Sequence, residues 1–310
     1  MRELQTALAT GDADLEALAP SVSWAFGDTT SGALDWLKRA GRQHVRIARQ
    51  GATIVGGLVE VPMGQWFGGQ SVSTMGLAGV AVAPEARGQG IALELVRQTL
   101  RSARERGFAL STLYPSTFAL YRKAGYELAG SHCRFTLQLR RLTRARSALD
   151  VHAIGADRQD ELTRLYSEVA RHRTGYLERN DYIWQRVRNP EHEPGRAFGV
   201  MDAAGLAGYV VLKAAAKSTP IKFVLSDFVT RTPEAFQSLL MFLADHVTTA
   251  EHASWKGGPA DARLFGLPDR VVQVGLEDYW MLRLVDVRSA PSPRSLLGQR
   301  PGCPISSDAA

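Results

Sequence analysis

Apolar residues recur with a period of two over residues 45–48, 52–61 and 71–82, and with helical spacing at Ala92, Leu95, Val96, Thr99, Leu100 and Ala103. The first pattern predicts strands. The second predicts an amphipathic helix that turns Glu94, Arg97, Gln98, Arg101 and Arg104 to water and ends at Gly107. Ahead of these lies a weakly alternating edge strand over 2–9. A helix follows, capped by Asp12 or Asp14, with Leu15, Leu18 and Val22 inward. Residues 23–30 carry Trp24, Phe26 and Asp28, and a short helix holds Leu34, Trp36 and Leu37. Gln50-Gly51 reads as a hairpin turn, and the glycine-rich segment 63–70 as the loop of a second hairpin.

Beyond the amphipathic helix, 109–113 is a buried strand, and Ser116 or Thr117 caps a short helix that Gly125 ends. Tyr126 opens a strand expected to pair with 133–140, where Cys133, Phe135, Leu137 and Leu139 share one face. From about residue 150 the order of elements starts again, with a helix stripe at Leu162, Leu165, Tyr166 and Val169 and a strong helix start at Thr232-Pro233. The reading is an α+β fold, two tandem units each with a mixed, mostly antiparallel sheet flanked by helices. The expected division is 1–145, 146–287, and a disordered Ser/Pro-rich tail over 288–310.

The stretch 80–96 is where chemistry is expected. Val80, Ala81 and Val82 end an apolar strand, and Pro84 stops the ladder because it has no N–H to donate. Arg87-Gly88-Gln89-Gly90 then turns into the amphipathic helix, so free backbone N–H groups and a helix N-terminus meet at one point, a phosphate cradle. It is not a P-loop, since no Lys-Ser/Thr pair follows the second glycine. It is not a dinucleotide fingerprint, since the GxGxxG spacing is absent. Taken alone, such a loop is also compatible with a tight turn that binds nothing. In the second half, Thr230-Arg231-Thr232-Pro233 stands where this loop would be, so that half reads as a copy without the cofactor site.

Composition changes this picture little. A length of 310 with 45% hydrophobic residues is enough for two cores, and a net charge of +6 admits an acidic or phosphorylated ligand without requiring nucleic acid. The one basic group, Arg134, Arg140, Arg141, Arg144 and Arg146, lacks interleaved aromatics and reads as a solvated linker. Two distant cysteines, Cys133 and Cys303, match no metal spacing and favour a reducing, cytoplasmic setting. No run of 18 apolar residues predicts a membrane span, and no signal segment is expected. The sequence thus predicts no metal, no nucleic-acid partner and no membrane partner; a homo-oligomer is admissible.

Arg87-Gly88-Gln89-Gly90-Ile91-Ala92 followed by Leu120-Tyr121-Arg122-Lys123-Ala124-Gly125-Tyr126-Glu127 resembles the two motifs of the GCN5-related N-acetyltransferase (GNAT) superfamily. With a degenerate second copy and Trp280-Met281-Leu282-Arg283-Leu284-Val285-Asp286-Val287, residues 1–287 resemble the enhanced intracellular survival (Eis) family of tandem GNAT acetyltransferases. That resemblance implies acetyl-CoA as co-substrate and an amine acceptor, such as an aminoglycoside, another polyamine-like molecule or a lysine. It also implies a third, sterol-carrier-like domain after the last motif, which this sequence is expected to lack. In the family that domain delivers a C-terminal carboxylate near the active site.

By the same resemblance the pantetheine arm pairs with Val80, Ala81 and Val82, and the pyrophosphate sits on Arg87, Gly88, Gln89, Gly90, Ile91, Ala92 and Leu93. Ser116 and Thr117 lie beside the thioester and Tyr121 protonates the leaving sulfur. A phenol with an ordinary pKa of about 10 is a protonated donor at neutral pH; the alternative role for Tyr121 is a buried aromatic. Acceptor selection is expected from Trp24, Asp28, Trp36 and Trp66, since aromatics and carboxylates suit a polycation. No general base is evident; His132 reads as a strand surface residue. The alternatives are a protein-lysine acetyltransferase and a non-catalytic acyl-CoA-binding regulator.

Overall fold

The computed structural model describes residues 4–142, 147–189, 193–214, 221–267 and 271–289. Arg144, Arg146, Cys303, Ala310 and nearly all of the expected tail lie outside them. The first half runs β1 (Leu4–Leu8), α1 (Asp12–Phe26), α2 (Thr30–Ala40), β2 (Val45–Gln50), β3 (Thr53–Phe67), β4 (Gln70–Val82), α3 (Ile91–Glu105), β5 (Leu110–Leu113), α4 (Phe118–Lys123) and β6 (Glu127–Gln138). The second runs β7 (Val151–Ile154), α5 (Gln159–Ala170), β8 (Leu177–Glu178), α6 (Asp181–Arg188), β9 (Arg196–Asp202), β10 (Gly205–Ala214), β11 (Ile221–Thr230), α7 (Pro233–Asp245), β12 (Ala250–Gly257) and β13 (Val272–Leu284). This is an α+β fold whose mixed sheet is mostly antiparallel, with parallel pairing at β4–β5 and β11–β12.

Helices pack on both faces of each half. In the first, Leu15, Leu18 and Leu37 of α1 and α2 bury against Val45, Ile47 and Val59, while α3 covers the other face with Ile91, Leu95, Val96, Leu100 and Ala103. Burying each large side chain of that stripe contributes about 1.5–3 kcal/mol, which explains why the helical spacing is so clean. The second half repeats the plan, with α5 and α6 on one face and α7 on the other.

The two halves share one 13-stranded sheet with the path β1-β2-β3-β4-β5-β13-β6-β12-β11-β10-β9-β7, the thirteenth strand, β8, pairing with β3 off this path. The last strand of each half lies in the other half's territory. β13 pairs with β5 from Leu113↔Met281 to Leu110↔Leu284, and β6 pairs with β12 from Cys133↔Gly257 to Gln138↔His252.

Three expectations about local structure change. The N-cap of α1 is Gly11, not Asp12 or Asp14, and Asp14 instead accepts from Thr10 N–H at 2.8 Å. Residues 127–138 form one strand, not a hairpin of Tyr126 onto 133–140, because β12 and β13 supply its partners. Cys133, Phe135 and Leu137 are buried along its inner face, as their spacing requires, and Leu139 is buried in the turn that follows. Likewise the expected loop over 63–70 is mostly strand: β3 continues to Phe67, and the chain turns only at Gly68 and Gly69, with φ of 56° and 82°. Gly64 is there for closeness rather than flexibility, since a Cβ on it would run into Ser71 Oγ and the Glu178 side chain of β8.

Candidate active site

β4 and β5 run parallel but pair only at Thr74↔Leu110, Met75↔Ser111 and Gly76↔Thr112. Beyond Gly76 the edge of β4 that faced β5 has no strand partner, so its backbone groups up to Val82 are open to a ligand. The β3–β4 register shifts between Val59↔Ala78 and Gly57↔Ala81, leaving an extra residue in β4 at the point of divergence. Gly79 there has φ of 61°, and a Cβ on it would collide with the Trp36 ring.

The open edge leads into the glycine loop. Gly88 and Gly90 have φ of 77° and 78°, and a Cβ built on either meets nothing within 4 Å, so the loop is left-handed and faces open space. Glu94 N–H is the first helix amide used internally, reaching Gly90 C=O at 3.1 Å. The amides of Ile91, Ala92 and Leu93 therefore point out of the N-terminus of α3 with no helix partner. Arg87 is exposed beside them, and Gln89 is held by Gln50 Nε2 at 3.1 Å. This arrangement fits a pyrophosphate, with amides and helix dipole aimed at the same volume. Gly90→Ala, which forces a Cβ into a left-handed position, is expected to weaken acetyl-CoA binding about tenfold or more by calorimetry while shifting the melting temperature by only a few degrees.

The corresponding point in the second half is closed. Thr232 Oγ1 accepts from Ala235 N–H at 3.1 Å, and Pro233 removes a further amide from the first turn of α7. Arg231 is tied to Asp202 at 2.8 and 2.9 Å.

Tyr121 lies on α4, 4% exposed, in the same apolar cluster as α3 and the ends of β4 and β5. Burial pushes its phenol above the ordinary value, and a hydrogen bond with the Ser116 side chain pulls partly the other way. Its ring meets Tyr126 edge-on at 6.1 Å, and Tyr126 is fixed by Ser111 at 2.6 Å. The last strand of the chain also holds α4: Arg283 of β13 donates to Ala124 C=O, over Gly125, which has φ of 83°. Thr117 occupies the N-cap without a side-chain cap bond, so its hydroxyl is not spent on the helix.

Where β4 and β5 part lies a cavity of about 820 Å³ lined from both halves. Met63, Gln65 and Leu77 contribute from β3 and β4, Leu113 and Tyr114 from the end of β5, and His132 from β6. The second half supplies Tyr166, Arg173, Arg179, Arg186, Asp227 and Trp255, among others. His132 is therefore not a surface strand residue; it is half-buried, 5.9 Å from the Tyr114 ring, and burial with Lys256 nearby holds its imidazole below the ordinary value. Arg179 is locked to Asp227 at 2.5 and 3.0 Å and lies 3.5 Å over the Tyr166 ring.

The residues expected to select the acceptor do not gather at this cavity. Trp24 is 69% exposed at the end of α1, and Asp28 is exposed and accepts from Thr29 N–H at 2.7 Å. Trp66 packs into the α5–α6 core. Trp36 comes nearest, stacked over Gly79 with Nε1 donating to Tyr182 of α6 at 2.9 Å, and Tyr182 does line the cavity. Sequence reasoning missed Gln65, His132 and every second-half contributor. The only local hint was the basic and aromatic content of 166–186.

The acetyltransferase (GNAT) domain family is matched twice, over residues 8–129 and 175–284. A GCN5-related N-acetyltransferase of Anabaena variabilis is 30% identical in sequence with a TM-score of 0.87, the alignment covering 93% of this chain and 74% of that one. The chain belongs to the GNAT acetyltransferases. A GCN5-related N-acetyltransferase of Kribbella flavida is 25% identical, TM-score 0.77, covering 93% of this chain and 72% of that one. Eis1 of Mycobacterium abscessus, 22% identical with a TM-score of 0.72 over 92% of this chain and 74% of that one, shares the fold. No curated protein matches by sequence. GNAT membership implies acetyl-CoA as co-substrate, and the divergent strands, glycine loop and α3 N-terminus are the features of this chain that fit it. Among the described residues no helix is long and apolar enough to cross a membrane, and no three metal-ligating side chains cluster.

Proposed function

We propose that this GNAT enzyme acetylates a primary amine of a small molecule held in the cavity between the halves, with chemistry confined to the first half. In this reading acetyl-CoA supplies an activated thioester. Val80, Ala81 and Val82 pair with its pantetheine arm, and Gly88, Gln89, Gly90, Ile91, Ala92 and Leu93 take the pyrophosphate, with Arg87 adding charge. Residues 1–145 and 146–287 are then an active copy and a degenerate one.

Tyr121, kept protonated by burial, donates the proton that the departing thiolate needs, and Ser116 and Thr117 orient the donor. The acceptor must lose a proton, and the neutral imidazole of His132 in the cavity wall is available to accept it. The observation that carries the proposal is the parting of β4 from β5 after Gly76: β4 runs on to the glycine loop, and Gly76, Leu77, Thr112 and Leu113 beside the split line the cavity. A concave site of about 820 Å³ with a largely apolar lining is of the size that holds a small amine. A polyamine-like acceptor such as an aminoglycoside is what the family resemblance suggests; the charge of the lining argues for another class.

Release of free thiol from acetyl-CoA, followed across a panel of amines, tests the proposal. Amine-dependent release supports it, whereas tight acetyl-CoA binding with no turnover of any amine would favour the regulatory alternative.

A further inference from the structure

Resting on that reading of the cavity, we propose that its acceptor is an apolar primary amine carrying a carboxylate, bound with the carboxylate toward Arg186, and not a polycation. The charges of the wall carry this. Arg173, Arg179, Arg186, Lys256 and Arg263 all line the cavity, against Asp227 as the lining carboxylate. Asp227 is consumed by Arg179 and by Tyr209, whose hydroxyl donates to it at 2.7 Å. Just behind the wall, Asp261 is chelated by Arg263 and stands 3.8 Å from Arg173, and Glu277 is shared between Lys256 at 3.2 Å and Arg134. Asp278 adds one exposed carboxylate near Tyr114. Cations remain in excess.

Arg186 stands apart from this network. It is exposed at the cavity mouth on α6, its guanidinium is 5.9 Å from the Tyr182 ring, and among the described residues no carboxylate is paired with it. It shares the cavity lining with Tyr114, the residue after the end of β5. A planar guanidinium free to take a carboxylate in two-point contact is the usual device for such a group. The same positive lining disfavours the ammonium form of the incoming amine, which lowers the cost of reaching the nucleophile. An aminoglycoside would bring several further ammonium groups into this field.

Two buried polar atoms in the wall are also unused. Gln65, 1% exposed, donates Nε2 to Gly175 C=O at 2.9 Å, which fixes its amide and leaves Oε1 without a donor. Trp255, also 1% exposed, has no acceptor for its indole N–H. Unpaired groups so deeply buried mark positions where a bound polar molecule completes the hydrogen bonding. Between them Met63, Phe67, Leu77, Leu225 and Phe228 offer the apolar surface for the body of the acceptor.

Matched pairs that differ only in the acid test this: para-(aminomethyl)benzoate against its carboxamide, and phenylalanine against phenylalaninamide, with kanamycin as the polycation. In at least one pair kcat/KM for the acid is expected to exceed that of the amide by about tenfold or more, equivalent to ~1.4 kcal/mol. Arg186→Gln should bring that ratio to about one. Acid and amide used equally in both pairs, or kanamycin preferred over both acids, overturns the proposal. If no amine turns over, acetyl transfer fails as the function, and calorimetry in the presence of coenzyme A decides the charge question separately. Tighter binding of the acid, lost in Arg186→Gln, upholds it; equal binding of acid and amide ends it.

Discussion

Replacing Tyr121 by Phe is expected to lower kcat about 100-fold, with KM for acetyl-CoA changed by less than about threefold, because a positioned proton donor contributes roughly two to four decades of rate. The ring of Tyr121 is enclosed by the cluster that joins α3, α4 and the ends of β4 and β5, so Phe fills the same space. The loss of one hydroxyl and its bond to Ser116 costs about 1 kcal/mol of stability, a minor change beside the rate. The phenol is held above its ordinary value by burial, so it stays protonated through neutral pH and should contribute no alkaline fall in rate below about pH 10. A rate within about twofold of the parent would remove Tyr121 as the acid and leave it a packing residue.

The second large effect is on stability. Asp227→Ala should destabilise the protein by about 3–5 kcal/mol, read as a lower urea midpoint with an unchanged slope. Asp227 is 8% exposed and receives two bonds from Arg179 and one from Tyr209, while the Arg179 side chain is itself only 12% exposed. Without Asp227 the guanidinium stays charged inside the protein. Its pKa is raised by Asp227 and is beyond reach of solvent pH in any case, so no proton can be shed to relieve the penalty. The deficit is therefore expected to be the same at pH 6 and pH 9, unlike that of a buried lysine. Substituting both partners by apolar residues of similar volume should recover most of it.

The backbone geometry of the glycine loop was legible because it is local. Val80 to Leu93 is one continuous stretch in which Pro84, Gly88 and Gly90 state the backbone geometry directly, and both glycines do take positive φ. The start of α7 at Thr232-Pro233 was equally plain. The cavity between the halves is built from residues far apart in sequence, such as Gln65 against Gly175, Trp36 against Tyr182 and Tyr114 near Arg186. No periodicity encodes such contacts, which is why exposed Trp24 and Asp28 looked as eligible as any other residue. The strand over 250–257 escaped notice because Glu251, His252, Ser254 and Lys256 dilute its alternation, and its pairing with β6 and β11 sustains it instead. The pairing of β6 differs from the expected hairpin for the same reason: its partners β12 and β13 lie more than 100 residues away.

The crossed strands also set an order of events. As the chain is made, β5 can pair with β4 at once, but its other edge stays bare until β13, ending at Leu284, leaves the ribosome. Arg283, which secures the helix bearing Tyr121, arrives only then. The half that bears the glycine loop and Tyr121 thus depends for its completion on the last strand of the other half. A nick in the linker between them would leave two fragments still laced through each other's sheets.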